Sequence, residues 1–200
     1  MKRDKKRLRK QDLYFLSKQT VVIDDFESDG FILDIGGGGE GVIGQLKGKQ
    51  VVSIDLNEEE LLAAANGPLK IVMDATELRF LDDSFSSVTA FYSLMYMSAR
   101  NHERVFSEVF RVLQDEGLFR IWDVQVSHKK RTNKPGFAVP VEVILPDRTI
   151  SVGYGSYWPE KKYDLNYYIE IATKTGLQVV EKNPIGDSLS LVLQKSIHEG

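Results

Sequence analysis

Residues 32–41 read ILDIGGGGEG, an apolar strand that runs straight into a glycine-rich turn. With no Cβ atoms in the way, backbone at such a turn can come close to a ligand. Nineteen residues beyond Gly36, Asp55 ends a second apolar run, VVSID at 51–55. A carboxylate in that position can accept hydrogen bonds from ribose hydroxyls. Taken literally, Gly36-x-Gly38-x-x-Gly41 also satisfies the dinucleotide fingerprint, so the glycines by themselves leave an NAD-type cofactor open.

Asp34 separates the possibilities. It stands two residues ahead of the first glycine, near the start of the helix that would face a phosphate, and it would repel a pyrophosphate. A cofactor with a cationic end would be attracted instead. S-adenosylmethionine has an ammonium, a sulfonium and an adenosine, and no phosphate. The blander role for Asp34 is to hydrogen-bond amides of its own loop.

Outward from this turn the chain alternates between strand and helix patterns. Residues 31–35, 51–55, 71–73, 88–97 and 118–122 read as strands, and 58–65 and 101–114 as helices, capped by Asn57 and Asn101. Alternation with crossovers of this length means a parallel sheet covered by helices on both faces. The pattern breaks after the fifth strand. A polar loop leads into apolar runs at 137–145 and 149–154 around Pro146-Asp147-Arg148, which reads as an inserted β-hairpin. A helix over 160–175 and an antiparallel pair, 177–181 with 188–193, close the chain. Ahead of the first strand, Leu13, Leu16 and Val21 suggest a short amphipathic helix. The expected organisation is a basic arm and N-terminal helix over 1–29, then one α/β domain over 30–200 with the insertion at about 127–158.

Composition narrows the chemistry. The chain has 200 residues, 42% apolar and 28% charged, as an ordinary globular domain does. It contains no cysteine, which removes disulfides, thiolate metal sites and a cysteine nucleophile, and with the last the usual route to pyrimidine C5 chemistry. Three separated histidines, His102, His128 and His198, make no ligand pair, so no metal site is expected. No apolar run nears the ~20 residues that span a bilayer, and a cytoplasmic location is expected. The net charge of −3 is uneven. Residues 1–10 carry seven Lys/Arg against Asp4, or +6, which leaves −9 on the remainder. Such an arm can hold nucleic acid or another anionic partner, or can simply be solvated.

The chain resembles the class I S-adenosylmethionine-dependent methyltransferases well beyond its glycines. LDIGGGGEG is similar to that family's first motif and VVSIDLN to its second-strand acidic motif. MDATELRFLDDSFSSV (73–88) resembles the stretch from an adenine contact into the fourth strand, and FSEVFRVLQDEGLFRIWDV (106–124) the helix, turn and strand that follow. The resemblance implies a Rossmann-like, doubly wound, mostly parallel seven-stranded sheet with the hairpin inserted after strand five. It also implies cofactor contacts from Asp34, Gly36, Gly38 and Glu40 toward the methionine part, and from Asp55 to the ribose. Leu56, Asp74 and Ala75 would hold the adenine, and Phe91 and Tyr92 would close the site. Ser86 stands where an Asp is common, and Gln114-Asp-Glu-Gly117 replaces the usual Lys-Pro-Gly-Gly turn, which blurs the subfamily.

Methyl transfer is chiefly a matter of positioning, with a base needed only when the acceptor must lose a proton. The strand-four exit, AFYSLMY (90–96), lacks the Asn/Asp-Pro-Pro-Tyr/Phe pattern that holds exocyclic or side-chain amides and amines in similar enzymes. That leaves a small-molecule acceptor, the one expected, or a macromolecular target held by the basic arm. His128 is a candidate base or a solvated loop residue. Tyr154, Tyr157 and Trp158 could wall the acceptor or simply pack the hairpin, Tyr14 could cover the site, and His102 reads as a surface residue. Two other readings remain: a non-catalytic cofactor- or partner-binding member of the fold, and an NAD-dependent oxidoreductase.

Overall fold

The computed structural model describes residues 8–126 and 132–196. In chain order its strands are β1 (Leu13–Phe15), β2 (Gln19–Val22), β3 (Ile32–Ile35), β4 (Val51–Asp55), β5 (Leu69–Val72) and β6 (Phe85–Phe91), then β7 (Leu113–Val124), β8 (Gly136–Ile144), β9 (Thr149–Tyr157), β10 (Leu177–Ile185) and β11 (Ser188–Lys195). Its α-helices are α1 (Val42–Lys47), α2 (Glu58–Ala63), α3 (Ala99–Val112) and α4 (Leu165–Thr175).

Seven strands form the main sheet in the order β10-β11-β7-β6-β3-β4-β5. From β7 to β5 all neighbours are parallel, while β11 enters antiparallel between β7 and β10. The α/β, Rossmann-like, mostly parallel seven-stranded architecture is thus the one expected. All four residues of β3 are buried, the pattern of a parallel strand covered on both faces. The carboxyl ends of β3, β4, β5 and β6 lie along one edge, where ligands bind in open α/β sheets.

One face of the sheet is covered by α3 and α4, as their periodicity requires. Val105, Phe106, Val109 and Val112 of α3 pack with Ile171 and Ala172 of α4 over Leu33, Val88, Phe119 and Ile121. Helix α3 is capped by Ser98, whose side chain accepts from the Asn101 amide, so it begins earlier than a cap at Asn101 would have it. Helix α4 starts only at Leu165, with Asp164 as its cap. The predicted strand over 88–97 divides into β6 and a single 3₁₀ turn, Leu94–Tyr96.

The opposite face departs from expectation. No helix covers residues 13–21; that stretch forms β1 and β2, both pairing parallel with β8. The physical reason lies in Thr20, Val21 and Val22, which are β-branched and alternate buried and exposed with the period of a strand. The inserted hairpin is β8 and β9, and with β1 and β2 it makes a second, four-stranded sheet. Phe137, Val139, Val141 and Val143 of β8 bury themselves with Phe91, Trp122 and Val124 of the main sheet and with Val42 and Ile43 of α1. A sheet thus takes much of the place expected for helices. Among the described residues, no helix is long and apolar enough to cross a membrane.

The insertion is therefore part of the core. Phe137 is only 1% exposed, so Phe137→Ala is expected to cost about 3–5 kcal/mol in urea unfolding. The transition should stay single. A separate early transition would mean that the second sheet folds as its own unit.

Candidate functional site

Strand β3 delivers Asp34 and Ile35 to the glycine turn, and the turn is held by the protein itself. The amides of Gly36 and Gly37 donate to the Ile54 carbonyl at 2.8 and 3.1 Å, and that of Gly39 donates to the Glu60 carbonyl at 2.8 Å. The glycines are needed for this nesting. A Cβ on Gly36, whose φ is +73°, would stand 2.4 Å from the Ser93 Cβ. One on Gly38 would stand 2.7 Å from the Glu60 Cβ. These two positions serve close approach of protein to protein at least as much as approach of a ligand. With three amides committed to carbonyls, the turn is a poor cradle for a pyrophosphate, which needs free N–H groups.

Asp34 lies 2% exposed beneath this turn. Its Oδ1 accepts from Thr89 Oγ1 at 2.7 Å. Burial pushes its pKa up to about 7; Asp55 adds to the rise, and the Thr89 hydroxyl opposes it. Near neutrality Asp34 is only partly charged, so its repulsion of a phosphate is weaker than a free carboxylate's.

Asp55 ends β4 with its Oδ1 accepting from the Asn57 amide at 2.8 Å. Leu56 follows, 69% exposed on the cleft wall, an apolar residue open to a planar group. Just past β5, Asp74 Oδ1 accepts from the Thr76 amide and hydroxyl, both at 2.8 Å, and fixes that loop. Ala75 beside it is buried against the main core. At the end of β6, Phe91 and Tyr92 are both buried. Tyr92 has a φ of +48°, and its amide donates a hydrogen bond to the Trp122 carbonyl at 2.7 Å. Its hydroxyl hydrogen-bonds Ser188 of β11.

These residues surround one cleft of about 780 Å³. Asp34, Gly36, Gly38, Glu40, Asp55, Leu56, Asp74, Ala75, Phe91, Tyr92 and Tyr154 all line it. Tyr154 arrives from β9 and stacks on Tyr92, ring centroids 4.8 Å apart and planes 12° from parallel. The other substrate candidates lie elsewhere. Tyr14 packs on Trp158 at 6.2 Å and Trp158 on Phe137 at 4.9 Å. Neither they nor Tyr157 line the cleft, so Tyr14 and Trp158 belong to the packing of the second sheet. His128 lies outside the described residues, as do the first seven residues of the basic arm and His198.

Sequence reasoning missed Glu60, Ser93 and Tyr96, which also line the cleft. Glu60 had a legible signal, since it stands three residues after the cap Asn57, the N3 position of α2. Tyr96 had none: it reaches the site because the Leu94–Tyr96 turn directs it there, and its hydroxyl accepts from the Gly155 amide at 3.3 Å.

That turn is fastened from below. Asp123 Oδ2 accepts from the Met95 amide at 3.0 Å. His102, expected at the surface, is fully buried. Its Nε2 must donate to the Leu94 carbonyl at 2.8 Å, which leaves Nδ1 to accept from the Tyr167 hydroxyl at 2.9 Å. Burial lowers its pKa and keeps it neutral. His102 is a positioning residue for the cleft wall, away from the cleft itself.

The charge of the site is one-sided. Asp34, Glu40, Asp55, Glu60 and Asp74 line the cleft, and no Lys, Arg or His is among its described lining residues. It is suited to a ligand that is cationic and phosphate-free.

Comparison with known proteins agrees with this geometry. Residues 33–121 match a family model described as a methyltransferase domain. Similar solved structures include a SAM-dependent methyltransferase from Methanosarcina mazei, 19% identical, TM-score 0.63, covering 86% of this chain and 95% of that one. Another, from Mesorhizobium loti, is 15% identical with a TM-score of 0.60, covering 82% and 90%. A third, from Clostridium acetobutylicum, is 13% identical with a TM-score of 0.59, covering 84% and 85%. No curated protein sequence matches the chain.

Proposed function

We propose that this chain, whose residues 33–121 match a methyltransferase domain, is an enzyme of the class I S-adenosylmethionine-dependent methyltransferase kind that moves a methyl group from S-adenosylmethionine to a small-molecule acceptor. The observation that carries the reading is the acidic, phosphate-averse cleft. Carboxylates at the ends of β3 and β4 and just past β5 surround a glycine turn whose amides are largely spent on the protein.

The residues fit this cofactor part by part. Asp34, deep and partly protonated, would hold the methionine ammonium and be kept ionised by it. Asp55 keeps its Oδ1 on the Asn57 amide while its carboxylate accepts from the ribose hydroxyls. Exposed Leu56 offers an apolar face to the adenine, with Asp74 and the Ala75 backbone at its edge. Phe91 and Tyr92 close the inner wall. The bound cofactor supplies a methyl group on a sulfonium, a leaving group that needs no acid. What remains for the protein is to align donor and acceptor and to exclude other nucleophiles.

Titration calorimetry with S-adenosylmethionine, S-adenosylhomocysteine and NAD in parallel tests the proposal. The first two are expected to bind at micromolar concentrations and NAD not at all. NAD binding without the others would overturn it and favour an oxidoreductase.

A further inference from the structure

The residues fitted to the cofactor leave the more exposed part of the cleft, its mouth, lined by Tyr154, Tyr96, Glu40 and Glu60. Tyr154 stacks on Tyr92, and Phe91 meets Tyr154 edge-on with centroids 6.0 Å apart. Tyr96 lines the same cleft, 53% exposed, its hydroxyl accepting from the Gly155 amide of β9. Glu40 and Glu60 line the same cleft as Tyr154 and Tyr96. Ser93, on the same wall and 7% exposed, has a hydroxyl with no hydrogen-bond partner among the described residues.

We infer that this mouth is the acceptor subsite and that it takes a small amine, bound as its ammonium beside the Tyr154 and Tyr96 rings and Glu40. The inference rests on the methyltransferase reading and adds the substrate class to it. Aromatic faces attract a cation through their quadrupole, most strongly when water is displaced. Carboxylates beside them add to that attraction and reject acidic acceptors. S-adenosylmethionine has one net positive charge, so the five cleft carboxylates have negative charge left for a second cation. Carboxylic acids, phosphate esters and nucleic acid strands would each bring further negative charge into it.

The phenols suit this role and not that of a base. Burial and the neighbouring Glu40 push Tyr154 well above the ordinary phenol range, so it stays a neutral donor at working pH. An amine needs no protein base beyond the loss of its own proton. The ammonium gives that proton to water at the open mouth. The nitrogen lone pair then forms the N–C bond, the C–S bond breaks, and its electron pair returns to sulfur as a neutral thioether.

The test uses the full chain saturated with S-adenosylhomocysteine. Affinities are measured by calorimetry for benzylamine and N-methylbenzylamine against benzyl alcohol and phenylacetate, which share the ring and differ in the polar group. The amines are expected to bind at least tenfold tighter than the alcohol, with phenylacetate weakest. Tyr154→Leu should shrink the amine-to-alcohol ratio several-fold and Tyr154→Phe should restore it, a ratio that loss of fold alone would not move. An alcohol or acid that binds as tightly as the amines, no amine binding, or an unchanged ratio in Tyr154→Leu overturns the assignment. If S-adenosylhomocysteine itself does not bind, the cofactor reading falls first, and the amine assignment falls with it.

Discussion

Asp34→Asn is expected to make the free protein more stable and its cofactor affinity worse. The folded protein holds Asp34 at about 7 against an ordinary 3.8. Between those values the unfolded chain has released its proton and the folded one has not, so stability falls as pH rises from about 4 to 7 and is level above. A neutral Asn removes that penalty. At pH 8 the gain is on the order of 2–4 kcal/mol, three pKa units at most, less whatever the Thr89 hydrogen bond loses. Asp123 is likewise pushed up to about 7 by its burial, so the variant should lose only part of the pH dependence of stability. Binding should move the other way. A cationic cofactor favours the ionised carboxylate, so wild-type affinity should fall about tenfold from pH 8 to pH 6, with close to one proton released on binding at the lower pH. The Asn variant should bind weakly and without that slope. Thermal unfolding and calorimetry in two buffers of different ionisation enthalpy measure both halves. A pH-independent wild-type affinity would remove Asp34 from the cationic end of the ligand.

Asp55→Ala addresses the other end of the cofactor, and its expected effect is a loss of tenfold to more than a hundredfold in affinity. Each hydrogen bond to a charged group contributes ~1.5–3 kcal/mol, and a carboxylate at a ribose can make two. The variant also frees the Asn57 amide that Asp55 holds at 2.8 Å, at the start of α2. Asp55→Asn separates these roles, because it keeps an acceptor for the amide and weakens only the charged contact. Its affinity should fall between wild type and Ala. If S-adenosylhomocysteine binds both variants as it binds wild type, Asp55 does not hold the ribose.

Taken together, these two carboxylates explain why the cleft is acidic without being costly everywhere. Asp55 is partly solvated at a strand end, with its Oδ1 on the Asn57 amide. Asp34 is fully enclosed and bears the desolvation, which lowers the stability of the free protein until a cation arrives. A residue that destabilises the free protein and is relieved by its ligand is a common signature of a binding site.

The chain's local patterns were sufficient for the parallel half of the main sheet, the glycine turn and the carboxylates at its strand ends. Each of these is written in consecutive residues: unbroken apolar runs for buried strands, a run of glycines for a sharp turn, acids where strands stop. Period and steric exclusion act over a few residues, so they can be read without knowing what lies across the fold. The acceptor side could not be read that way. Residues 13–22 have both helical and strand-like spacing of apolar groups, and pairing with β8, more than a hundred residues away, decides between them. Tyr154 and Trp158 sit four residues apart in one aromatic stretch. One stacks on Tyr92 in the cleft while the other packs on Phe137 behind it. His102 looks like a surface residue of a first helical turn until α4 brings Tyr167 and the 3₁₀ turn brings the Leu94 carbonyl to its two nitrogens. Which face of a segment is buried is fixed by partners distant in sequence, and only their docking placed the tyrosines and glutamates of the mouth together.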